Sequence, residues 1–550
     1  MRANKIQEKT KVIDEKDIGM KRKIGLGMLT VVLCLSGCGT GQATDTTPTA
    51  SLQEEVTQAP AENTSAPVQE NKTEQEEMTA KPTKRPKGAG SPQLLLGQMR
   101  LMKEKYTDLS QYRNGDTLQA AFDKADALVE KGETEIVSQQ EYNDMLKELR
   151  ETIAGLVNKH GLPDPSGFTE SIEMPNPYTF LDGRAVTTPE EFDARLEEIQ
   201  HMYEYYMYGP MPDATKETVT YSVQGNEMTV TVNNGEKEAS YKVSLALPTK
   251  KVYEEAPVLF SIFGLMKTEY ANERGYAVLS INPMDIAADN SSRTGVFYDL
   301  YPYGDSWEEQ TGVLAAWGWS VSKAIDALEN GAAKELGLTT TDFLMTGVSR
   351  FGKATAVAGA LEPRIKITAP SCSGAGGIAL YRYVSEGTEY DYTAINRGSA
   401  YKFGQNEPIG SLRSSSEGHW FNDNFQVFKD ETVLPLEQYM LSALCGRGDR
   451  YLFISGSYCD EDWVNAPAMW MNYLASKDLF EYMDISDHLA VCLHETGHMV
   501  TDSDLVYLLD FADYHLYGKE PASNLADLTT SLYALPQNAD PEFEEKLKFR

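Results

Sequence analysis

The chain has 550 residues, with 50 Lys and Arg against 82 Asp and Glu, for a formal charge of −32. That length exceeds one compact domain of roughly 100–200 residues, and so acidic a chain lacks the clustered positive charge that nucleic acid or an anionic membrane surface requires. Six cysteines are too few for a disulfide scaffold of this size, while a hydrophobic fraction of 41% with 10% aromatics is enough for a sizeable core.

In chain order, Lys21-Arg22-Lys23 is a positive segment, and Gly25 to Leu35 is an apolar run too short to span a bilayer. The run ends at Leu35-Ser36-Gly37-Cys38-Gly39. Small residues before a cysteine resemble a bacterial lipobox, which makes 1–38 a lipoprotein signal peptide with Cys38 as the lipidated residue. The alternative is an ordinary signal peptide with an incidental cysteine. Met20 directly precedes the basic segment and offers a second translation start. No other apolar run reaches about 18 residues. The remainder is therefore expected to be exported, held at the cell surface by its lipid anchor alone, and monomeric. Residues 39–92 are rich in Thr, Pro, Glu, Gln and Ala. Such a segment buries too little apolar surface to order itself and reads as a disordered tether.

From 93 to 160 the pattern becomes helical. Leu118, Ala121, Phe122, Ala125, Leu128 and Val129 follow helical spacing, and Ser138 to Glu141 forms a capping box ahead of Tyr142, Leu146, Leu149, Ile153 and Leu156. The length and spacing resemble the three-helix FIVAR modules beside carbohydrate-active domains; a plain helical spacer fits equally well. Residues 161–535 alternate strands and helices, and 536–550 form a C-terminal tail. Met228–Val232 and Tyr241–Leu247 read as antiparallel strands. Pro257–Phe263, Tyr276–Asn282, Asp342–Thr346, Ile365–Ala369, Arg450–Ser455 and Leu489–Leu493 read as buried ones. This alternation predicts an α/β fold with a mostly parallel sheet covered on both faces.

Asp342–Thr346 runs directly into Gly347-Val348-Ser349-Arg350-Phe351-Gly352-Lys353, with a helix after it. A serine flanked by glycines between strand and helix is the nucleophile-elbow arrangement, which exposes the hydroxyl at a helix N-terminus. The spacing departs from G-x-S-x-G, since Phe351 stands where the second glycine would be. The base of such a site follows a late strand. His498, in a Gly-x-His turn after Leu489–Leu493, fits that place, with His494 as the competitor expected to line the site edge or make a structural hydrogen bond. His494-Glu-Thr-Gly-His498 is no zinc motif, because the glycine and the strand do not put both rings on one helix face. For the acid, Arg450–Ser455 is followed by a loop carrying Asp460 and Glu461, of which Asp460 is the first choice and Glu461 the second.

Gly347-x-Ser349-Arg350-x-Gly352-Lys353 resembles the signature of the glucuronoyl esterases, carbohydrate esterase family 15. The resemblance extends to the helix from Trp307 to Glu329, the Gly374–Gly377 turn, His419-Trp420-Phe421, and Gly497-His498 with Leu508–Asp513. It implies an α/β-hydrolase fold, here a three-layer sandwich preceded by the helical module. It also implies cleavage of the ester between lignin alcohols and 4-O-methylglucuronic acid side groups of glucuronoxylan, through a covalent acyl-Ser349 intermediate. The resemblance gives Arg350 an oxyanion role and makes Lys353, Glu407 and Trp420 substrate-side residues. It implies no metal and no organic cofactor. Two departures stand out. Val348 and Met499 occupy the places of a fungal disulfide, and Cys372 occupies the place of the fungal catalytic Glu, so the acid must come from the Asp460 loop. The alternatives are an acetyl- or feruloyl-xylan esterase of the same fold and a catalytically inactive glycan-binding module.

Overall fold

The computed structural model describes residues 89–263, 266–383, 389–390, 401–402, 407–457, 460, 464–494, 497–521 and 539–550. The signal segment with Cys38, the tether up to residue 88, and Glu461 lie outside the described residues.

Successive side chains on a strand face opposite sides, so a sheet buried on both faces needs apolar residues at consecutive positions. The strands here meet that demand. Val258, Phe260 and Ile262 enter one core while Leu259 enters the other; Phe343 and Met345 are likewise divided from Leu344, and Leu452 and Ile454 from Phe453. The main sheet contains nine strands: β1 (Thr218–Gln224), β2 (Glu227–Asn233), β3 (Glu238–Ala246), β4 (Ala256–Ile262), β5 (Ala277–Ile281), β6 (Leu338–Val348), β7 (Ile365–Ser371), β8 (Tyr451–Ser457) and β9 (Leu489–His494). Their spatial order is β1-β2-β3-β5-β4-β6-β7-β8-β9. The first three strands and the β3–β5 pair are antiparallel, and every later pair is parallel. Helices Val313–Ala327, Arg350–Leu361, Gln438–Gly446 and Ala466–Tyr482 contribute to the larger core, and Asp502–Tyr517 to the smaller one. The result is the three-layer α/β-hydrolase sandwich. Strand β1 was not anticipated from sequence: only Val219 along it is buried, so its apolar alternation is weak.

Ahead of the sheet, helices Gln93–Lys105, Gly115–Thr134 and Gln139–Ala154 enclose a separate core of Leu95, Met99, Leu118, Phe122, Tyr142, Leu146 and Leu149. The Ser138–Glu141 capping box starts the third helix. Among the described residues no helix is long and apolar enough to cross a membrane.

A buried ion cluster fastens the edge of the sheet to the helix Val313–Ala327. Lys323 Nζ lies 2.5 Å from Glu217 and 2.6 Å from Asp326, and both Lys323 and Glu217 side chains are 1% exposed. Trp319 Nε1 and the Tyr301 hydroxyl donate to the other Glu217 oxygen, at 2.9 Å and 2.5 Å. Removing one member of a buried pair strands its partner's charge. Lys323→Met should therefore destabilise the protein by about 3–5 kcal/mol. The urea midpoint should recover in part when Glu217→Gln is added, and a Lys323→Met midpoint equal to wild type would refute this.

Candidate active site

Strand β6 delivers Ser349 into a turn it holds under strain, at φ 63° and ψ −130°. That region is costly for a residue with a Cβ and persists only where the surroundings enforce it. The enforcement comes from β7: Ser349 donates its N–H to Ser371 O at 3.0 Å. A Cβ on Gly352 would sit 2.5 Å from the same carbonyl, and one on Gly347 would sit 2.6 Å from Phe351 O. Gly352 therefore does the close-approach work that the usual motif gives to the residue before it. Phe351, freed of that duty, packs its ring between Phe263 and Trp317, with both centroids 5.2 Å away.

The carboxyl ends of β8 and β9 lie side by side, with Ser457 opposite His494. Asp460 follows the first and His498 the second. His498 Nδ1 stands 2.7 Å from Asp460 Oδ1, and Asp460 is 1% exposed. A carboxylate only accepts, so the Nδ1 proton faces it and Nε2 is left as the basic nitrogen. His494 has other partners, with Nε2 3.1 Å from Met499 O and 3.3 Å from Asp504, bracing the turn that carries His498. Cys372, fully buried at the end of β7, has its thiol pushed far above the ordinary range by burial and by the charge and acceptor of Asp460. It is a neutral donor to Asp460.

Cys372, Asp460 and His498 form a group whose donor atoms all lie within 4.8 Å of one another. Two ligands of a tetrahedral zinc at about 2.0–2.1 Å stand roughly 3.3 Å apart. The 2.7 Å Asp460–His498 contact is thus a hydrogen bond. That spacing suits proton transfer.

The substrate-side candidates divide differently from the sequence expectation. Lys353 and Glu407 pair at 2.5 Å, and both are buried. The other Lys353 protons reach Ser373 O at 2.8 Å and Ala375 O at 2.7 Å, so a sugar hydroxyl meets an ammonium already engaged three times. Burial pushes the Glu407 carboxyl up to about 7 against the pull of Lys353, and it also feels His498. Trp420 is 3% exposed and gives its indole N–H to Asp289 Oδ1 at 2.7 Å. Its N–H is thus already committed. Asp289, which sequence reasoning missed, also accepts from His419 Nε2 at 2.8 Å on Oδ1 and from Arg350 Nη1 on Oδ2. The available signal was the position of Asp289 just past β5, because open α/β sheets gather their functional groups at the carboxyl ends of strands.

Burial raises the Asp289 carboxyl, but His419, Trp420 and Arg350 overcome it and hold it at about 2. A depressed folded-state value stabilises the fold above the ordinary range near 3.8, and that stabilisation is lost as pH falls through about 2. The urea midpoint of wild type should therefore fall more steeply between roughly pH 4 and pH 2 than that of Asp289→Asn. Parallel curves would remove the basis for this account.

A family model described as "Glucuronyl esterase, fungi" matches residues 230–484. The chain is 45% identical over 390 residues to a multidomain esterase of Ruminococcus flavefaciens, covering 69% of this chain but only 51% of that relative. It is 30% identical over 342 residues to the 4-O-methyl-glucuronoyl methylesterase of Hypocrea jecorina, covering 62% of this chain and 68% of that one. Among solved structures, the carbohydrate esterase family 15 glucuronoyl esterase from Caldicellulosiruptor kristjansonii is similar with a TM-score of 0.62 and 36% identity, over 68% of this chain and 97% of its own. Sequence, fold and the arrangement around Ser349 agree, and the chain belongs to the glucuronoyl esterases of carbohydrate esterase family 15.

Proposed function

We propose that the chain is a serine esterase that cleaves 4-O-methyl-glucuronoyl esters joining lignin alcohols to glucuronoxylan. The observation that carries this reading is the Asp460–His498 hydrogen bond, formed at adjacent strand ends of the sheet that presents the strained Ser349. His498 takes the Ser349 proton as the hydroxyl oxygen attacks the ester carbonyl, then returns it to the departing alcohol. The glucuronoyl-Ser349 ester is opened by a water that His498 deprotonates, releasing glucuronate. Asp460 holds the Nδ1 proton and steadies the imidazolium formed in each half-reaction. This assigns the acid to Asp460 over Glu461.

The oxyanion role belongs to Arg350. Phe263, at the end of β4 beside the elbow, spends its N–H on Ile281 O at 3.0 Å. The side chain of Arg350 is 45% exposed, and its guanidinium has donors beyond the one given to Asp289. The buried Lys353–Glu407 pair forms polar backing near the nucleophile and supports binding of the uronate ring. The positive segment, apolar run and Cys38 support export with a lipid anchor.

Purified chain should hydrolyse benzyl glucuronate and leave acetylated xylan intact. The reverse preference would favour the acetyl esterase reading, and no turnover of either together with glycan binding would favour an inactive module. On the glucuronate ester, Asp460→Asn should lower kcat roughly 10²–10⁴-fold, as loss of the orienting acid does in serine proteases. Cys372→Ser should cost under about tenfold, since a neutral donor replaces a neutral donor. A crippled Cys372→Ser beside a healthy Asp460→Asn would overturn the acid assignment.

A further inference from the structure

Asp289 joins two stretches of chain that approach the site from different directions. Its Oδ2 takes Nη1 of Arg350 from the first turn after the elbow. Its Oδ1 takes Trp420 Nε1 at 2.7 Å and His419 Nε2 at 2.8 Å. Four residues on, Arg293 clamps the same second stretch through its backbone, donating to His419 O at 2.6 Å and Phe421 O at 3.1 Å. The carboxylate is thus fixed by two donors that are themselves buried, His419 and Trp420 at 5% and 3% exposure. Arg350, by contrast, is 45% exposed on its side chain. A long exposed arginine samples many rotamers and loses that freedom each time it meets an oxyanion. A fixed anion at one of its nitrogens prepays this ordering, while the planar fork leaves other N–H groups directed away from the carboxylate. The Arg350 guanidinium also lies 5.4 Å from the Trp420 ring centroid, so the indole limits its movement on a second side.

We propose that Asp289 is the positioning residue for Arg350, and that His419 and Trp420 reach the reaction through Asp289. This rests on the esterase reading above in its use of Arg350 at the oxyanion, and it makes Trp420 a support for that arginine. An anion that merely held the loops together would affect folding and every kinetic parameter without regard to Arg350. One acting through Arg350 has its effect on kcat only while Arg350 is present.

The test is a double-mutant cycle on the full chain, with benzyl glucuronate and 4-nitrophenyl acetate as substrates, since both pass through an oxyanion. Asp289→Asn should lower kcat roughly 10–100-fold on both esters, and by less than about twofold in an Arg350→Ala background. Asp289→Glu, which retains the anion, should recover part of the loss. Equal losses of kcat with and without Arg350 would overturn the proposal. Trp420→Phe, which keeps an aromatic ring but removes the pyrrole half of the indole with its N–H, is the second arm and stands even if the Asp289 variants do not fold. It should lower kcat several-fold with little change in KM, again only when Arg350 is present. A KM rise on the glucuronate ester that persists in Arg350→Ala would instead make Trp420 a sugar contact. If the wild type cleaves only the acetate ester, the substrate reading fails, and the cycle on that ester still decides the role of Asp289.

Discussion

Strand β7 lies so close to the helix that follows Ser349 that no Cβ fits between them at Gly352, and the groups around the nucleophile take their positions from that contact. Ser371 O is the acceptor for the Ser349 N–H and the atom that Gly352 presses against. Two residues on, Ser373 O receives a proton from Lys353, and Ala375 O another. The chain between these carbonyls turns through Cys372 at φ 44° and Gly374 at φ 61°. A Cβ at Gly374 would stand 2.5 Å from the Glu407 carboxylate, so the turn, the lysine and its counter-ion are fitted as one piece. Loosening the strand–helix contact would shift the nucleophile and the Lys353–Glu407 pair together.

Charge is distributed with similar economy. A chain with a formal charge of −32 would repel an anionic product, yet the elbow carries two cations within four residues. Each is matched by one carboxylate from a distant part of the chain, Arg350 by Asp289 and Lys353 by Glu407. The two pairs differ in setting. Lys353 and Glu407 are buried with every ammonium proton engaged, so that pair is rigid. Arg350 meets solvent and has donors beyond the one given to Asp289, so that pair is the open one.

Much of this could be read from the chain, and the reasons are physical. Buried parallel strands are short continuous apolar runs, and β4 to β9 are visible as such; β1 is half solvated and carries only Val219 into the core. The glycines around Ser349 mark a tight turn in any α/β chain, and the histidine turn after β9 has few competitors because there are only seven histidines. The direction of side chains was not legible. Lys353 in a first helical turn looks like a group facing substrate, yet it folds inward to Ser373 and Ala375. Trp420 looks like a stacking surface, yet its N–H is turned to Asp289. Asp289 itself is one of many acids in an acidic chain, and only the convergence of Arg350, His419 and Trp420 sets it apart.

The thiol at the end of β7 has a consequence for where the acid of such a site can stand. Cys372 and Asp460 follow the ends of neighbouring strands, and their polar atoms converge on one imidazole. The sheet therefore offers two adjoining perches from which a carboxylate can serve the same histidine. Carboxylates on both perches at once would repel across this short distance, so the charges favour one acid at a time. Both perches precede the histidine in chain order, so a nucleophile, an acid and the histidine would follow one another in the same order from either.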